Sequence, residues 1–137
     1  MRKINEIIIH CSATPEGRDV TVEEIRQWHL DRGFNDIGYH YIIDLDGVVH
    51  DGRPIEKPGA HCVKHNTHSL SICYIGGTDA HGRAKDTRTL EQKKSLKNLI
   101  HGLMFRFHDA KIYGHNEFSD KDCPCFSVKN EHFEKLF

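Results

Sequence analysis

Between Tyr113 and Phe126, fourteen residues carry an imidazole (His115), a lysine (Lys121) and two thiols (Cys123 and Cys125). Glycine, asparagine, serine, aspartates and a proline mark the stretch as a loop. Neutral imidazole and thiolate are donors that a tetrahedral zinc ion takes readily. His115 and Cys123 stand eight positions apart, so a loop that folds back brings both to one ion. A catalytic zinc centre usually takes three protein donors and leaves the fourth place open. The third donor must therefore come from elsewhere in the chain. The competing reading is compositional: with 12 histidines in 137 residues, one near the end of the chain need do no chemistry.

Several other residues sit where elements would deliver them to a common region. Ile7-Ile8-Ile9 is a β-branched run of the kind found in central strands buried on both faces. It ends in His10, at the strand terminus where α/β folds place their sites. Alternation turns Cys11 to the opposite face, so the two are not expected to serve one metal. His10 reads equally as a ligand or as a hydrogen-bonded strand-end histidine. Tyr39 enters a strand beside Gly38; its phenol either faces a cleft or packs with its hydroxyl satisfied, and the segment alone favours packing. The loop-like stretch 53–68 holds His61, Cys62, His65 and His68. Its spacing matches no standard zinc finger, and a cleft wall for substrate is the preferred reading over a second metal cluster.

The elements that position these residues are legible in outline. Thr21 and Glu24 form a capping box, opening a helix with Ile25, Trp28, His29 and Phe34 near one face and an end by Gly33; Trp28 reads as core. Tyr41-Ile42-Ile43 and Val48-Val49-His50 flank Asp46-Gly47, a hairpin signal. Ser69 to Gly77 reads as a strand, with Cys73 a small buried residue. Thr89 and Gln92 form a second capping box. Leu96, Leu99, Ile100, Leu103, Met104 and Phe107 follow at helical spacing as a core stripe, with Lys93, Lys94 and Lys97 on the solvated side. Ala110 to Gly114 is a short strand that delivers His115, and Ser127 caps a last helix through Phe133 and Leu136. The expectation is an α/β single domain over residues 1–137, with a central mixed β-sheet flanked by helices.

Composition narrows the function classes. Lysine and arginine total 19 against 20 acidic residues, a balance that argues against a nucleic-acid partner. No apolar run approaches the roughly 20 residues of a membrane span, so no membrane partner is expected. The start, Met1-Arg2-Lys3-Ile4-Asn5-Glu6, lacks the pattern of a secretory signal, which implies synthesis in the cytoplasm. Five cysteines without an export signal read as thiols rather than as a disulfide framework.

Taken together, His10, Tyr39, His115, Lys121 and Cys123 give the chain a likeness. It resembles the zinc-dependent N-acetylmuramoyl-L-alanine amidases, the type shared by small phage lysozymes and peptidoglycan-recognition proteins, and most of all the phage lysozyme branch. The motifs run in order over nearly the whole chain: Ile9-His10-Cys11-Ser12-Ala13-Thr14, Ile25-Arg26-Gln27-Trp28-His29, Ile37-Gly38-Tyr39-His40-Tyr41-Ile42-Ile43, Gly59-Ala60-His61, Gly76-Gly77, Gly114-His115 and Lys121-Asp122-Cys123-Pro124. The resemblance implies a peptidoglycan-recognition/amidase-like fold and one zinc ion (Zn2+) per chain held by His10, His115 and Cys123. It implies Tyr39 and Lys121 as catalytic residues and His61 as a substrate-cleft residue. Cys125, two positions after Cys123, is a second thiol that either packs as a small buried residue or competes for the metal. The implied activity is hydrolysis of the amide between N-acetylmuramic acid and L-alanine in peptidoglycan, by a monomer that reaches the cell wall after release or export by another protein. The alternatives are a peptidoglycan-binding module that does not cut, against which Cys123 weighs, and a regulatory interaction protein on an amidase scaffold.

Overall fold

The computed structural model describes residues 1–135. In chain order the elements are β1 (Glu6–Cys11), β2 (Thr14–Pro15), α1 (Val22–Asp31), β3 (Tyr41–Ile43), β4 (Val49–Asp51), β5 (Ser69–Tyr74), β6 (Gly77–Thr78), α2 (Leu90–Arg106), β7 (Lys111–Gly114) and α3 (Val128–Glu131). Five strands form one sheet in the order β4-β3-β5-β1-β7, and β2 and β6 form a separate parallel pair. Within the large sheet β3, β5, β1 and β7 run parallel, and β4 is antiparallel to β3. This is the mixed sheet flanked by helices that the sequence implies.

Burial follows the side-chain pattern. Ile7, Ile8 and Ile9 are all fully buried, as a strand covered on both faces requires. One face of the sheet presents Ile7, Ile9, Cys11, Leu70, Ile72 and Tyr74 to Leu96, Ile100 and Leu103 of α2. Each such side chain contributes roughly 1.5–3 kcal/mol by leaving water. A smaller cluster joins Ile42 and Ile75 to Ile25 of α1 and to Ile37. Both expected capping boxes form, at Thr21 with Glu24 and at Thr89 with Gln92. Gln92 also reaches into the sheet, where its Nε2 donates to Ile75 O at 2.9 Å.

The hairpin forms at Asp46-Gly47. Asp44 Oδ1 accepts from the N–H groups of Asp46 and Val48 at 2.9 and 3.0 Å, and Gly47 takes the left-handed φ of 83° that this turn needs. Below β3, the buried His40 acts as a clamp. Its Nδ1 accepts from Ser71 N at 3.1 Å, which leaves the proton on Nε2 to donate to Lys57 O at 2.8 Å. Ser127 caps α3 as expected, but the helix ends at Glu131, where His132 turns left-handed, so Phe133, expected within it, is buried beyond its end; Leu136, placed in the same helix from sequence, lies outside the described residues. No helix among the described residues is long and apolar enough to cross a membrane.

Candidate active site

Parallel pairing brings the two distant histidines together. β1 and β7 are neighbours, with Ile9 opposite Gly114. One residue further on, His10 and His115 leave adjacent strands side by side, their ring centroids 4.6 Å apart. The chain then turns through a 3-10 segment (His115–Glu117) and loops back to Cys123. Cys123 Sγ lies 3.8 Å from His10 Nδ1 and accepts from the backbone N–H of Cys11 at 3.1 Å. One donor atom from each of His10, His115 and Cys123 falls within 4.8 Å of the others. Burial, aided by the neighbouring His61, His115 and Lys121, holds the His10 imidazole well below its ordinary pKa. Burial and Lys121 also lower that of His115. Two neutral imidazoles and a sulfur donor at the end of a parallel sheet are a donor set that suits zinc.

The cleft is about 620 Å³ in volume and is lined in part by Trp28, Tyr39, His61, Phe118 and Lys121. Tyr39 packs against His10, with centroids 5.1 Å apart, and against His29 at 5.2 Å. Its hydroxyl finds no protein partner among the described residues, and burial pushes the phenol well above its ordinary pKa, so it remains a donor at neutral pH. The segment before it is held tightly: His29 Nδ1 accepts from Gly38 N at 2.8 Å, and Ala60 N donates to Gly38 O at 3.1 Å. A Cβ on Gly38 would collide with the carbonyl of Ala60, so glycine is what lets the two cleft walls approach. Lys121 is exposed on the cleft rim, and its ammonium makes no ion pair among the described residues.

His61 does more than line the wall. Its Nδ1 lies 2.8 Å from His10 Nε2, and its Nε2 lies 3.1 Å from Ser69 Oγ. Sequence spacing carries no sign of this contact, because it depends on how the 59–66 loop folds over β5. Asn66 Oδ1 fixes that loop by accepting from the N–H groups of His61 and Cys62, both at 3.0 Å.

The Cys123 loop is braced from the apolar side of the sheet. Tyr74 donates its hydroxyl to Pro124 O at 2.6 Å. The Arg88 guanidinium sits 3.5 Å above the Phe126 ring and pairs with Asp86 and Glu131 at 2.9 and 2.6 Å. Cys125 turns away from the three donors: its sulfur meets that of Cys11 at 3.8 Å, and burial raises its thiol pKa to about 12. Trp28, read from sequence as core, is only half-buried; it packs beside the α1 cluster and also lines the cleft.

The profile of the family described as N-acetylmuramoyl-L-alanine amidase matches residues 1–126. The endolysin of Klebsiella phage KP32 is 38% identical over 128 residues, covering 93% of this chain and 85% of that one. The endolysin of Escherichia phage T7 is 40% identical over 123 residues, covering 90% and 82%. Among solved structures, the N-acetylmuramoyl-L-alanine amidase LysC from Clostridium intestinale URNW superposes with a TM-score of 0.82 at 25% identity, covering 97% and 84%. The chain belongs to the N-acetylmuramoyl-L-alanine amidase family.

Proposed function

We propose that this amidase hydrolyses the bond between N-acetylmuramic acid and L-alanine of peptidoglycan with one zinc ion, held by His10, His115 and Cys123. The observation that carries the reading is the convergence of those three donors at the floor of a cleft in a chain of this family. Zinc bound there supplies a Lewis acid for the scissile carbonyl and a water acidified toward neutrality.

The chain's own residues provide the rest. Were zinc held through His10 Nδ1, the imidazole would keep its proton on Nε2 and donate to His61 Nδ1. His61 then carries its proton on Nε2 and donates to Ser69 Oγ. This succession fixes one tautomer and one ring orientation for the ligand, as partners behind metal-bound histidines generally do. Lys121 places a positive charge where the carbonyl oxygen gains negative charge during attack. Tyr39, a protonated phenol beside His10, donates a hydrogen bond to the reacting atoms or passes a proton to the departing amine of L-alanine. Trp28 and Phe118 give the cleft apolar surface that limits water around the scissile bond.

On this reading residues 1–137 act as one amidase domain and as a monomer. The enzyme acts on the cell wall. Digestion of purified peptidoglycan tests the activity. New L-alanine amino termini are the expected product; new reducing ends would indicate a glycosidase, and binding without release would indicate a recognition module that does not cut.

A further inference from the structure

A second cluster of metal-binding side chains lies on the same sheet face, at the other end of β1. Glu6 opens that strand, and its side chain leaves on the face that also carries His10. His65 and His68 come from the loop that carries His61. Glu6 Oε1 lies 2.8 Å from His65 Nδ1 and 3.0 Å from His68 Nε2. The three donor atoms are all within 4.8 Å of one another. The side chains are half-sheltered, with exposures of 15%, 23% and 36%. The His65 ring is held in place by Phe118, stacked 3.9 Å away at an interplanar angle of 21°. The His68 Nδ1 faces Thr67 Oγ1 at 3.4 Å, which leaves Nε2 to point at Glu6.

We propose that Glu6, His65 and His68 form a second metal site, for a first-row divalent cation of the zinc and nickel type. Two imidazole nitrogens and one carboxylate oxygen are donors that such ions accept. Zinc bonds of about 2.0–2.1 Å place tetrahedral donors about 3.3 Å apart, so modest side-chain adjustment seats an ion between them. The carboxylate and two neutral imidazoles leave the ion a net single positive charge and room for water. Its role is to brace the cleft rather than to react. His65 shares the 59–68 loop with His61 and stacks on Phe118, which lines the cleft and bonds through its N–H to His115 O at 3.0 Å. An ion here therefore ties one wall of the cleft to the strand beneath it. The inference is independent of the assignment of His10, His115 and Cys123.

The test is zinc titration of the metal-free chain, followed by calorimetry and by NMR of the histidine ring protons at neutral pH. Wild type is expected to take two equivalents. Cys123→Ala is expected to keep one, with the His65 and His68 signals shifting as it binds. The double variant His65→Ala/His68→Ala is expected to lose that equivalent and keep the other. Glu6→Gln, which alters one atom type and preserves volume, should weaken the second site by about tenfold or more; it carries the test if the double variant fails to melt cooperatively in chelator. The proposal is overturned if millimolar zinc leaves the His65 and His68 signals of Cys123→Ala unmoved. It is equally overturned if the second equivalent binds with unchanged affinity in Glu6→Gln.

Discussion

The two faces of the central sheet are built on opposite terms. Under α2, the face carrying Ile7, Ile9, Leu70, Ile72 and Tyr74 is apolar and closely packed. The other face carries His10, His40 and Ser71, with His61 and Ser69 joined to it by hydrogen bonds. Burial holds His10 and His61 well below their ordinary pKa and takes His40 to about 4. One face supplies stability that is indifferent to pH and hydrogen-bond direction. The other depends on each imidazole keeping its proton on the correct nitrogen. Substitutions on the two faces should therefore fail in different assays.

The largest effect is expected at the metal donors. His10→Ala, His115→Ala and Cys123→Ala should each lose the zinc equivalent assigned to the cleft and peptidoglycan hydrolysis together, as metal analysis and product release on the same preparations would show. The cleft equivalent retained in Cys123→Ala but lost in Cys125→Ala would move the sulfur ligand to Cys125. Next come the groups assigned to chemistry alone. Tyr39→Phe and Lys121→Ala should keep zinc and their melting temperature while turnover falls about 100- to 1,000-fold. Wild-type turnover in Lys121→Ala would return that lysine to a solvated rim position.

The apolar face predicts the opposite pattern. Ile9→Ala should cost about 2–5 kcal/mol in denaturant unfolding, yet the molecules still folded should bind zinc as wild type does. Acid reverses the contrast. His40 has an ordinary pKa of 6.5 and a folded value of about 4. The unfolded chain takes up its proton first, so the stabilisation is complete above pH 6.5 and is lost as the pH falls from there toward 4. The loss is up to about 3 kcal/mol, and in His40→Asn the slope of stability against pH should flatten over that window. The smallest effect should be at His61: His61→Ala is expected to weaken zinc binding about 10- to 100-fold with little change in melting. His61→Asn, which keeps an acceptor for His10 Nε2, should recover part of that loss, and equal affinity in both variants would show that the contact to His10 does not orient the ligand.

Much of this was legible in the sequence, for reasons that differ by residue. Ile7-Ile8-Ile9 reads as a strand buried on both sides because its residues are β-branched and unbroken by polar ones, and the capping boxes at Thr21 and Thr89 mark their helix starts. The ordered motifs from His10 to Cys123 carried the family and its candidate ligands. What escaped was everything set by register and loop path. Nothing local says that Ile9 lies opposite Gly114, that His61 reaches His10, or that Tyr74 bonds Pro124 from beneath. The β2–β6 pair is only two residues per strand and leaves no periodicity to read. Trp28 looked like core because aromatic residues on a helix face usually are; its dual position, half packed and half lining the cleft, depends on where the cleft opens.

The pairing of β1 with β7 also has a kinetic meaning. These strands lie about a hundred residues apart in sequence, and parallel contacts of such separation are slow to form because the loop-closure entropy must be met first. His10 and His115 cannot face each other until that last strand docks. A chain still emerging during synthesis, or cut anywhere that lets β7 drift, has no complete donor set. On the proposed assignment, zinc binding only the docked state would raise its population by mass action, and lytic capability would arrive only with the completed donor set.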